Sequence, residues 1–170
     1  MKGSHLFLLF LLFSVISFNN FAQTNKVITP AKISVENAYA RATIPGTSIS
    51  SAYMTIVNST GKTVTLLGAS SNISPRIEIH AHSMENGMMR MRKLDSIVIR
   101  ANERIILQPS GLHLMLFDVK KPLQSQQEVN LTLHFSAIKP VSLPLPVYNP
   151  QQEKAAQNND AQPSMMQHHH

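Results

Sequence analysis

The feature that most constrains this chain is short-range alternation of apolar and polar residues, interrupted every few residues by turn chemistry. Ile77-Glu78-Ile79-His80-Ala81-His82 alternates in this way, as do Ser96 to Arg100, Leu112 to Phe117 and Val129 to Phe135. A period of two is the signature of a strand with one face buried. Tyr53-Met54-Thr55-Ile56-Val57 is rich in β-forming residues, and Val64 to Leu67 resumes a strand after the turn signal Asn58-Ser59-Thr60-Gly61. Pro45-Gly46, Asn86-Gly87 and Ser110-Gly111 mark further turns. No stretch of ten or more residues combines helical periodicity with caps. The expected fold is therefore all-β, a sandwich or Greek-key barrel.

The ends of the chain are different. Lys2 precedes an apolar run, Leu6 to Phe18, of roughly 13 residues, against the ~20 needed to span a membrane. Asn20-Phe21-Ala22 then offers a small residue for cleavage, so residues 1–22 read as a secretory signal peptide. Residues 23–32 form a linker, and 33–148 are the expected β-domain. Residues 149–170 are polar and rich in Gln, Asn and Ala. They end in Met165-Met166-Gln167-His168-His169-His170, and their composition predicts disorder. No other long apolar run exists, so no membrane span is expected after signal cleavage.

Charge and cysteine content narrow the function. The formal charge of +6 falls to about +5 once Lys2 leaves. Arg76, Arg90, Arg92, Lys93, Arg100 and Arg104 read as a solvated basic face, with a docking surface for an acidic partner as the sharper alternative. An exported chain without interleaved aromatic and basic residues is not expected to bind nucleic acid. The 170 residues contain no cysteine. That removes a Cys-linked lipid anchor, thiolate zinc sites, iron–sulfur clusters, the His₂Cys blue-copper site and any thiol nucleophile. Gly61-Lys62-Thr63 is not a phosphate loop, because Ile56 stands where the earlier glycine is required. No nucleophile–His–acid order can be read, and no enzyme activity is expected.

The informative residues are histidine and methionine. In Leu112-His113-Leu114-Met115-Leu116 the leucines share one face and should point to the core. His113 and Met115 then share the other, about 6.6 Å apart along the strand. In Ile77-Glu78-Ile79-His80 the isoleucines go inward and His80 outward. Met84, Met88, Met89 and Met91 follow closely. Thioethers with imidazoles suit Cu(I) and disfavour the oxygen-seeking Mg²⁺, Ca²⁺ and Mn²⁺.

The spacing of these residues resembles that of the PCu(A)C-type periplasmic copper chaperones: a His, ten intervening residues, a Met, twenty-one intervening residues, then His-x-Met. Here His80 is followed by ten residues and Met91, and Met91 by twenty-one residues and His113-Leu114-Met115. Ala40-Arg41-Ala42-Thr43, Met84 to Arg92 and Pro109 to Met115 also resemble the family, and the likeness runs from about Ile33 to Tyr148. It implies a cupredoxin-like β-barrel, a solvent-accessible Cu(I) site and His80, Met91, His113 and Met115 as ligands. It implies a periplasmic, non-enzymatic carrier that delivers copper to the CuA-type centre of a respiratory oxidase, beside a Sco-type partner. Copper sequestration without a dedicated recipient is the alternative. A monomer is expected. His82 and Met84 form an extra His-x-Met and are auxiliary candidates. His168, His169 and His170 are candidates for a weaker Cu(II) site, since clustered imidazoles suit that ion.

Overall fold

The computed structural model describes residues 32–85 and 87–160. The signal peptide, most of the linker and residues 161–170, including His168, His169 and His170, lie outside the described residues. The described residues form ten strands and one helix: β1 (Ile33–Arg41), β2 (Ser50–Asn58), β3 (Val64–Ser70), β4 (Arg76–Glu85), β5 (Met88–Leu94), β6 (Ile97–Ile99), β7 (Arg104–Leu107), β8 (Leu112–Phe117), β9 (Glu128–Phe135), β10 (Val141–Tyr148) and α1 (Pro150–Asp160). The strands hydrogen-bond in the order β5-β4-β8-β7-β2-β1-β10-β9-β3-β6, and β8 also pairs with β2. The all-β expectation is met.

A parallel register, Ala40 to Val147 and Arg41 to Tyr148, joins the two halves of this ladder. The remaining pairings are antiparallel, except β7 with β8. The halves fold onto one core. From one side come Met54, Ile56, Ile79, Leu114 and Leu116, and from the other Leu66, Ile99, Leu131, Leu133, Leu145 and Val147, all nearly or wholly inaccessible. The alternation read from sequence therefore does what it should. Each of these strands turns one face of aliphatic side chains inward, and burial of roughly 1.5–3 kcal/mol per side chain drives the association.

Two elements escape the alternation rule. β5, Met-Met-Arg-Met-Arg-Lys-Leu, is exposed along almost its whole length. It has no buried face, so it carries no apolar period and could not be read as a strand. It forms because Gly87, at φ +77°, closes a hairpin with β4. β10 contains Pro144 and Pro146, which usually argue against a strand. Those residues pair only with β9. The parallel partner β1 meets β10 at Val147 and Tyr148, where N–H groups are present.

The disorder expected from residue 149 onward is corrected for residues 150–160, which form α1. Its start is a capping box that the polar composition hides. The Gln152 amide donates to Asn149 Oδ1 at 2.9 Å, and the Asn149 amide donates to Gln152 Oε1 at 3.0 Å. Pro150 occupies the first helical position, where its missing N–H costs nothing. Glu153 then docks the helix. Its carboxylate accepts from Arg41 Nε at 2.9 Å and Nη2 at 2.5 Å, beside Tyr39, which stacks on Tyr148 with ring centroids 4.9 Å apart. Among the described residues, no helix is long and apolar enough to cross a membrane.

Candidate metal centre

β4 and β8 build the site. Their antiparallel register places His80 directly opposite His113, and Glu78 opposite Met115. Directly opposed residues share a face. Leu114 and Leu116 point to the core at 0% exposure, so His113 and Met115 point away from it, as strand parity requires. Register with β5 adds Met91 opposite His82 and Met89 opposite Met84. The outer face of this corner of the sheet thus carries His80, His82, His113, Met84, Met89, Met91 and Met115. The site lies on a sheet face.

That face is not simply solvated. His113 is 3% exposed, although it points away from the main core. Its ring is covered by His82 (centroids 5.1 Å), His80 (5.9 Å) and Tyr53 (6.4 Å). A second, aromatic layer therefore sits over β8. It continues through Arg41, whose guanidinium lies 5.2 Å from the Tyr53 ring, to Glu153 of α1.

Hydrogen bonds fix which imidazole nitrogens can donate to a metal. His113 Nδ1 lies 3.1 Å from the Gly111 carbonyl oxygen, which can only accept. Nδ1 therefore carries the proton, and Nε2 keeps its lone pair. The same carbonyl accepts the His82 backbone amide at 3.2 Å. Gly111 thus ties both strands to one turn. A Cβ there would stand 3.2 Å from Gln108 Cγ, which leaves little room for another residue. His80 Nε2 lies 2.9 Å from Glu78 Oε2. A carboxylate also only accepts, so His80 bears its proton on Nε2 and offers Nδ1. Carboxylate–imidazole pairing of this kind orients metal-binding histidines and raises their basicity.

Two ring nitrogens of this cluster have no protein partner. His80 Nδ1 and His82 Nδ1 are buried and make no hydrogen bond. Buried polar groups are nearly always paired, so two adjacent orphans call for a ligand. Imidazole alone does not supply a complete site. Among the described residues, no three His, Asp or Glu side chains are arranged to hold an ion. An ion at this face needs the thioethers. The donor chemistry therefore fits a soft monovalent metal.

Electrostatics keep the site ready to bind. Burial is the largest influence on His113 and pushes its pKa down. The Gly111 hydrogen bond opposes this, and the neighbouring His82 and His80 add to it. The ring is held in its neutral, ligating form. The hydrogen bond from His80, then that from Lys93, holds the Glu78 carboxyl down at about 2. Lys93 Nζ donates to Glu78 Oε1 at 3.1 Å, and Arg76 reaches the same oxygen at 3.4 Å.

Of the residues expected as ligands, the structure brings His80, His113 and Met115 into adjacent rows and puts Met91 across from His82. His82, taken as auxiliary, has its ring closer to His113 than His80 does. Met84 lies one row further towards the hairpin tip. Sequence reasoning missed Glu78, Gly111 and Tyr53 as supports. Parity carried a signal for Glu78, two residues from His80 on the same face. Nothing in the sequence announced the other two. His134 is on β9, bonded to Ser70 Oγ at 2.8 Å, and takes no part. The basic residues are largely paired with acids. Arg76 joins Glu78 and Asp118, Arg100 joins Glu103, and Arg104 joins Glu36.

Comparison with known proteins agrees with this architecture. Residues 33–147 match the family model described as "Putative lipoprotein LpqE-like", and the chain belongs to that family. A protein of Leifsonia xyli subsp. xyli, also named as a lipoprotein, is 30% identical over 124 residues, covering 69% of this chain and 74% of its own. An uncharacterized protein of Rickettsia prowazekii is 33% identical over 89 residues, covering 52% of this chain and 49% of its own. Among solved structures, the copper-bound PCuAC domain from PmoF2 superposes with TM-score 0.61 at 25% identity, over 70% of this chain and 94% of that one. The Cu(I) form of DR1885 from Deinococcus radiodurans superposes with TM-score 0.58 at 26% identity, over 74% and 84%.

Proposed function

We propose that this protein is an extracytoplasmic copper chaperone that carries one Cu(I) through His80, Met91, His113 and Met115. The observation that carries the reading is the orphaned, buried His80 Nδ1 directly across the register from the buried His113, on one sheet face with Met115 and Met91. The copper-bound structural relatives support it. So does the secretory character of the amino terminus.

The four donors divide the work. His113 is buried and its ring is fixed, so it sets where the ion sits. His80 is fixed by Glu78. Met115 lies beside them, part-buried, while Met91 is 47% exposed on an exposed strand. All four donors are neutral when bound, so the ion keeps its single charge. An acceptor's ligand can replace the Met91 thioether first, then draw the ion out by stepwise exchange. We further propose that the acceptor is the CuA-type centre of a respiratory oxidase, with a Sco-type protein as partner, and that the protein works in the periplasm without enzymatic activity.

Competition of the chain with a chromogenic Cu(I) chelator tests the site. His113→Ala combined with Met115→Ala should weaken Cu(I) binding by more than the ~10–100-fold typical of an outer-shell change. Unchanged affinity would show that the ion is held elsewhere. For delivery, deletion of the gene should leave the oxidase short of copper. Copper sensitivity with a fully loaded oxidase would instead identify a sequestration protein.

A further inference from the structure

The β4–β5 hairpin carries more soft donors than a four-ligand site uses. Met84 is 70% exposed and Met89 61% exposed, and the register sets them directly opposite one another. Opposed side chains start ~5 Å apart, within reach of a common ion for two flexible thioethers. His82 lies two residues from Met84 on the same face, ~6.6–6.8 Å along the strand. Its Nδ1 is one of the two buried nitrogens without a partner. The quartet His80, Met91, His113 and Met115 consumes neither Met84, Met89 nor His82.

We propose that His82, Met84 and Met89 form a second soft-metal site, next to the first and nearer the hairpin tip. The proposal rests on the copper reading and extends it. The two sites have separate ligands on one continuous face. The inner site is walled by packed aromatic rings. The tip site has two open thioethers and one imidazole, so it binds more weakly and exchanges faster. It is the position at which an ion arrives at, or leaves, the inner site. Met88 is equally rich in sulfur and 57% exposed, but it sits opposite Glu85, on the other face of the hairpin. It provides an internal control.

The test is NMR of the full chain with ¹³C-methyl methionine, titrated with Ag(I) as a redox-inert stand-in for Cu(I). The first equivalent should shift the methyls of Met91 and Met115. The second should shift those of Met84 and Met89 and leave Met88 in place. Met84→Leu with Met89→Leu, at exposed positions that tolerate the change, should abolish the second event. It should keep the first affinity within about twofold, because neither methionine belongs to the inner quartet and both are exposed. The proposal is overturned if Met84 and Met89 stay unshifted through two equivalents. It is equally overturned if they move together with Met115 in the first, or if Met88 moves with them. If Met84 and Met89 respond but Met91 and Met115 do not, the quartet fails and the tip site stands. If no methionine responds, both fail.

Discussion

β8 and β5 both present methionine to the same face, and they do so in opposite settings. β8 is central, paired with β4, β7 and β2, and its histidine is buried under three rings. Among the described residues β5 is an outer strand that pairs with β4 alone, and its side chains are exposed. On the function proposed above, the difference separates two tasks of a carrier. Donors on β8 are held by the core behind them, so they define a position. Donors on β5 are held only by a hairpin, so they can let go. A site made entirely in the manner of β8 would keep its ion. One made entirely in the manner of β5 would not select it.

Substitution can break this comparison. The largest effect belongs to the inner face of β8. Leu114→Ala should cost ~2–5 kcal/mol of stability in urea denaturation, because Leu114 is wholly buried in a close-packed core. A smaller loss would mean that β8 is not the fixed wall described here. Next comes the support of His80. Glu78→Gln should weaken Cu(I) binding by ~10-fold or more, as outer-shell changes do, with little change in fold. In the apo-protein the Glu78 carboxylate is held below its usual range, near 2. Its contribution to stability is therefore complete above the ordinary carboxyl pKa and is lost as pH falls from there through the folded-state value near 2. Titration of its ¹³C carboxyl resonance checks this. The smallest effect belongs to β5. Met91→Leu should leave apo stability within ~0.5 kcal/mol, as surface substitutions do, while raising the rate at which copper leaves. A large loss of stability would place Met91 in the wall and not in the gate.

The sequence revealed the parts of this molecule that repeat a period. Leu112 to Leu116 announces both a buried face and the shared direction of His113 and Met115, because side-chain alternation follows directly from strand geometry. Ile77 and Ile79 do the same for His80. β5 was illegible, since a strand exposed on both sides has no reason to alternate. α1 was illegible for another reason. Its stability comes from the reciprocal Asn149–Gln152 cap and from Glu153 docking on Arg41, 112 residues earlier in the chain. The second layer was hidden too. Strand parity says that His113 points away from the core, but not that Tyr53, His80 and His82 then cover it. That depends on which strands become neighbours, and so does the promotion of His82 from an extra residue to part of the cluster.

X-ray absorption at the copper edge, on the chain loaded with a single equivalent of Cu(I), tests the central claim most directly. The account predicts two nitrogen and two sulfur neighbours, with the sulfur count falling when Met115 and Met91 are both changed to leucine. A first shell of nitrogen or oxygen alone, unaltered by those substitutions, would contradict it.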